Sequence, residues 1–134
     1  MSVEDEIRSV MIRWNKAVAE GNLAELSQII SHDDKAVLIS RGKTYVGYNT
    51  IINQFERWFE DRRVHLTSKE MIIGHSGNVA WVTDDQHGKT VDLRGKLLRE
   101  SPILKLTSVL VKKNDKWMFV QFHHSVPPDE KSRG

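Results

Sequence analysis

The side chains of this sequence that could move a proton or hold a metal ion are six histidines and 18 acidic residues; there is no cysteine. Without a thiol the chain has no thiolate nucleophile, no thiolate metal site and no disulfide framework. His32, Asp33 and Asp34 adjoin in one short segment, whereas His65, His75 and His87 are scattered. None of them follows a ligand spacing such as His-Glu-x-x-His, so neither a metal nor a cofactor is expected. A Gly-x-Ser-x-Gly nucleophile turn and a glycine-rich phosphate loop are both missing from the sequence. The last two histidines close the run Trp117 to His124. Side chains alternate across a strand, so Met118, Val120, Phe122 and His124 share one face, and Trp117, Phe119, Gln121 and His123 the other. His123 then reads as a packed or interface residue.

The elements that must position these groups follow from hydrophobic spacing. Ile7, Val10, Met11, Trp14, Ala17 and Val18 recur at three- and four-residue steps, predicting a helix over 3–19 that stops at Gly21. Asn22 caps a short second helix through Leu23, Leu26, Ile29 and Ile30. Two short strands, 36–40 and 43–46, flank an Arg41-Gly42 turn. A third helix runs from Asn49 to about Asp61 through Ile51, Ile52, Phe55, Trp58 and Phe59. The remainder reads as extended: 64–73, a turn at His75–Asn78, 79–84, a second turn at Gln86–Lys89, and a hairpin of 102–113 with 117–124. The stretch 90–101 fits either a continued strand or an excursion loop. Helices first and antiparallel strands afterwards argue for an α+β domain. The simplest closure is a cone: a strongly curved antiparallel sheet wrapped around the N-terminal helices, chiefly the first and third, with a cavity at its open end.

A chain of 134 residues fits one domain, placed at 1–127 with a polar tail over 128–134. Net charge is only +2, and Lys112-Lys113 and Arg62-Arg63 read as solvated hairpin and helix ends, so no nucleic-acid partner is expected. No apolar run approaches the roughly 20 residues that span a bilayer, and the first residues are acidic where a signal peptide is basic. A cytoplasmic protein without membrane contact is the expectation.

Several stretches, in order, resemble the nuclear transport factor 2-like superfamily, which includes SnoaL-like proteins, ketosteroid isomerases and the association domain of calcium/calmodulin-dependent kinases. They are Trp14 to Leu23, Gly47-Tyr-Asn-Thr-Ile51, Gly77 to Asp84 and, best of all, Leu106 to Ser125 with its Lys-Trp-(x)3-Gln-Phe-His-His-Ser ending. The resemblance implies the cone fold, a cavity, and a homodimer packed through sheet faces. It also permits a test of isomerase chemistry. That enzyme uses a tyrosine in the first helix, an aspartate base on the first strand and a protonated aspartate on a late strand. The matching positions hold Trp14, Ile39 or Ser40, and Thr107 or Ser108, so that machinery is absent.

The kinase association domain has pocket arginines at positions matching Asp84, Ser108 and His124. The resemblance therefore implies that these three converge in the cavity beneath Trp14. Asp84 beside His124 would fix the imidazole tautomer and raise its pKa, making an acid–base pair near neutrality. Trp14, Tyr45, Trp58, Ser108 and Phe122 complete the expected ligand site, suited to an apolar, hydroxylated or weakly cationic small molecule. Trp81, opposite Asp84 by strand parity, suits the dimer contact. Three functions follow: a small-molecule-binding module, a cyclase- or isomerase-type enzyme using Asp84 and His124, or an oligomerising association domain.

Overall fold

In a computed structural model, which describes residues 1–126, the first helix forms as its spacing dictates. Helix α1 spans Val3–Glu20, with Ser2 Oγ accepting from the Asp5 amide at 3.1 Å and Glu4, Asp5 and Glu6 in the positive first turn. Gly21 ends it at φ 70°, a left-handed conformation that glycine adopts without penalty. Helix α2 is Leu23–Ile29, capped by Asn22 Oδ1 on the Glu25 amide. Strands β1 (Val37–Ser40) and β2 (Lys43–Val46) follow, then helix α3 over Tyr48–Phe59, two residues short of the expected end. Four long strands complete the chain: β3 Arg62–Ser76, β4 Val79–Asp92, β5 Leu97–Lys113 and β6 Lys116–Ser125. The boundary drawn at 127 and the polar tail from 128 lie outside the described residues.

The six strands form one curved, unclosed sheet in the order β2-β1-β6-β5-β4-β3. It is mixed, not wholly antiparallel as expected, because β1 lies parallel to β6. The α+β cone is otherwise as the spacing implies. The buried stripe of α1 and Ile51 and Phe55 of α3 fill the concave face against Ala80, Val82, Leu106, Leu110, Phe119 and Phe122. On the convex face Trp81 is 48% exposed and Ile72 61%. No helix among the described residues is long and apolar enough to cross a membrane.

Two local expectations are corrected and one open stretch is assigned. Gln86–Lys89 is not a turn; β4 runs straight through it, with Gly88 in the ladder opposite Ser101. The stretch 90–101 is the end of β4, a tight turn and the start of β5. Asp92 Oδ1 closes that turn by accepting from the amides of Arg94 and Lys96, each at 2.9 Å, with Gly95 at φ 89°. The strict alternation assumed for Trp117–His124 also fails. Val109 faces Gln121 and Leu110 faces Phe119, so Val120 is an extra residue that shifts the phase. Trp117 and Phe119 consequently join Phe122 on the buried face.

Candidate functional site

Where β3 and β5 begin and β4 and β6 finish, the cone holds a cavity of about 140 Å³. An engineered apolar cavity of roughly 150 Å³ takes a benzene molecule, so the space suits one ring. Its inner wall is aromatic. Trp14 stacks on Phe122 at 3.9 Å between centroids with a 19° tilt, and meets Phe55 edge-on at 5.5 Å. Trp58 closes the side, edge-on to Phe55 at 5.2 Å. The interlocked rings make this wall rigid.

The expected Asp84–His124 pair does not form. Asp84, Leu106 and His124 occupy one row of neighbouring strands, so acid and imidazole flank Leu106 with backbones about 10 Å apart, two strand spacings. The gap is bridged by Gln86, which projects from the same face of β4 and is fully buried. Its Nε2 donates to Asp84 Oδ2 at 3.3 Å, and its Oε1 lies 3.3 Å from His124 Nε2. A carboxylate accepts only, which assigns the amide nitrogen to Asp84 and leaves the carbonyl facing the imidazole. His124 must then present Nε2 as N–H, and its Nδ1 carries the lone pair. Asp84 Oδ1 accepts the amide of Glu70 at 3.2 Å, just past the extra residue Lys69 that shifts the β3–β4 register. Both carboxylate oxygens are thus committed within the sheet.

The electrostatics are likewise the reverse of the expectation. Burial lowers the His124 pKa from 6.5 to about 4, and the positive charge of Arg41 and the adjacent His123 act in the same direction. The imidazole is therefore neutral at physiological pH, with a fixed tautomer. No carboxylate pulls it upward.

Of the residues singled out from the sequence, Trp14, Trp58, Phe122 and His124 line the cavity. Asp84 and Ser108 are buried on the concave face behind it and are not among its lining residues. Ser108 Oγ donates to Met11 Sδ at 3.9 Å, because α1 lies over that row of the sheet. Tyr45 stands outside the lining, edge-on to Trp58 at 5.8 Å. Two of the other histidines serve locally: His32 Nε2 lies 2.9 Å from the Ser27 carbonyl, and His87 pairs with Glu100 at 2.6 Å. Among the described residues no three ligating groups gather around a metal position.

Sequence reasoning missed Gln86 and three arginines that line the cavity, Arg41, Arg62 and Arg99. Arg62 begins β3 and pairs with Asp61 at 2.8 Å, so it is not merely a solvated helix end. A stretch that fits either strand or loop gives Arg99 no face. Its alternation with Ser101, which also lines the cavity, was the available signal.

Comparison with known proteins agrees with this fold. A similar solved structure is a nuclear transport factor 2-like superfamily protein from Salmonella enterica. It has a TM-score of 0.83 and 19% identity, and the match covers 96% of this chain and 93% of that one. A Xanthomonas campestris structure described as a candidate calcium/calmodulin dependent protein kinase II association domain gives 0.75 and 19%, over 96% and 91%. A candidate aromatic ring hydroxylase from Novosphingobium aromaticivorans gives 0.79 and 16%, over 94% and 91%. At these identities the likeness is one of fold. No curated protein gives a significant match. The model of the SnoaL-like domain matches residues 7–129, and the chain belongs to that family.

Proposed function

We propose that this chain is a small-molecule-binding member of its family, holding one compact, largely apolar ligand in the cone cavity. The observation that carries the reading is the aromatic-walled space of about 140 Å³ with an uncharged imidazole on its lining. Trp14, Trp58 and Phe122 supply apolar contact, and His124 offers one oriented hydrogen-bonding edge. Asp84 acts through Gln86 as a positioning residue, while Ser108 and Tyr45 support the wall. Titration with a panel of single-ring compounds, followed by tryptophan emission, tests the reading. Saturable quenching that disappears in Leu66→Phe, which fills the cavity, is expected. A wild-type protein that saturates with no member of the panel at millimolar concentration refutes it.

A second reading, an acid–base enzyme of the cyclase or isomerase type, draws on the fixed tautomer of His124. His124→Gln distinguishes the two, since binding at undiminished affinity with loss of a turnover favours the enzyme. The homodimer belongs to the same proposal. Its support is the exposure of Trp81 and Ile72 on the convex sheet face.

A further inference from the structure

The cavity has a charge that its aromatic wall conceals. Among the described residues no carboxylate lines it, whereas three guanidinium side chains do. Their positions differ in kind. Arg62 is paired with Asp61, and Arg41 leaves β1 at φ 52° in the turn to β2. Arg99 lies further in, on β5 opposite Thr90, one inward position from Ser101. Both hydroxyl residues are buried, Thr90 at 9% exposure and Ser101 at 5%. The Nε of Arg99 is buried with no hydrogen-bond partner among the described residues. The acids closest to it in the chain are engaged elsewhere: Glu100 pairs with His87, and Asp92 closes the β4–β5 turn.

The unpartnered Nε is a cost to the fold, and the charge of the same side chain, on a lining that holds no carboxylate among the described residues, favours an anion in the cavity. A carboxylate is the acceptor that fits its planar fork, through two parallel charge-assisted hydrogen bonds. The neutral His124 adds no positive charge to those of the three arginines on the lining. The volume admits one ring.

We infer that the ligand is a single-ring aromatic carboxylic acid or an apolar acid of similar bulk, its carboxylate held by Arg99 between Thr90 and Ser101 and its ring against the Trp14–Phe122 wall. This rests on the reading of the cavity as a ligand site. Weakly cationic ligands, expected from the sequence, are disfavoured by the same charge.

Calorimetric titration with benzoate, benzamide and benzylamine tests the inference, because the three share a ring and differ in the charged group. Benzoate is expected to bind at least about tenfold more tightly than benzamide, one charged hydrogen bond's worth, and benzylamine not to saturate. Arg99→Gln should abolish that preference, and Arg99→Lys should keep part of it. Benzamide binding as well as benzoate, or a preference that survives Arg99→Gln, overturns the carboxylate assignment and leaves the ring-binding cavity standing. Failure of all three probes to saturate overturns both readings. If Arg99→Gln does not fold, as judged by circular dichroism, the wild-type ratio of benzoate to benzamide affinity decides alone.

Discussion

Acidification should destabilise this fold through one residue in a defined window. The pKa of His124 is 6.5 as an ordinary imidazole and about 4 in the folded protein, lowered first by burial and then by Arg41 and His123. Below 6.5 the unfolded chain takes up a proton that the folded chain refuses, so protonation favours unfolding. Stability is full above 6.5, declines as pH falls, and levels off near 4. The difference of about 2.5 pKa units, at 1.36 kcal/mol each, amounts to about 3 kcal/mol. Because the imidazole borders the cavity and is half-buried, water trims this to about 2 kcal/mol. Carboxylates titrate over the same range, so the measurement must be a difference. Urea denaturation of wild type and His124→Gln across pH 4 to 7.5 supplies it, glutamine being a neutral side chain of similar reach. The wild-type excess stability should shrink by about 1 kcal/mol per pH unit between 6.5 and 4. A difference that stays flat across that window would show that His124 protonates freely in the folded state, and the neutral, desolvated imidazole would be wrong.

Three further outcomes follow from the same geometry. Gln86→Leu keeps the bulk and strips Asp84 and His124 of their shared amide, so stability should fall by about 2–4 kcal/mol. In a His124→Leu background the loss should be smaller by at least about 1 kcal/mol, and simple additivity in that double-mutant cycle would break the proposed link. Arg99→Met retains the aliphatic stem and removes an orphaned donor, so thermal melting should rise by about 3–6 °C while benzoate loses its advantage over benzamide; a lower melting temperature contradicts the orphaned Nε. If the convex face forms the proposed dimer, Trp81→Glu should shift size-exclusion elution to that of a monomer. An unchanged dimeric volume, with circular dichroism intact, removes the convex face as the contact.

The sequence exposed its helices because their cores are periodic: the stripe from Ile7 to Val18 predicts α1 to within a residue, and Ile51 to Phe59 predicts α3. The β5–β6 hairpin was equally visible. What stayed hidden was phase. An extra residue in a strand moves every later side chain to the other face; Val120 and Lys69 do this without a compositional mark, and Pro102, in a central strand, marks a third such place. Trp117 and Phe119 were therefore assigned to the wrong face. Gln86-His-Gly looked like a turn because glycine usually punctuates strands. Here a Cβ at Gly88 would lie 2.5 Å from Leu104 Cδ1, so glycine meets a close approach, not a reversal. Arg99 fell in the segment whose start depended on that misplaced turn. The resemblance implies that Asp84 lines the cavity, whereas it lies buried on the concave face behind the lining. Alignment alone could not show that Leu106 stands between it and His124.

That intervening strand also decides between binding and proton transfer. A general base works best with a pKa near the operating pH, where it is both free of its proton and strong enough to take another. At about 4, His124 is free but weak. Relative to a base of pKa 7 it gives up about 4 kcal/mol of driving force, at 1.36 kcal/mol per unit. A carboxylate in direct contact would have restored much of this. Gln86 instead passes only a dipole between Asp84 and the ring, which holds the tautomer without supplying charge. The arrangement therefore fixes the direction of a hydrogen-bonding edge and leaves its basicity low. Those are properties a rigid aromatic pocket needs to orient a ligand, and they weigh against the acid–base pair that the sequence suggested.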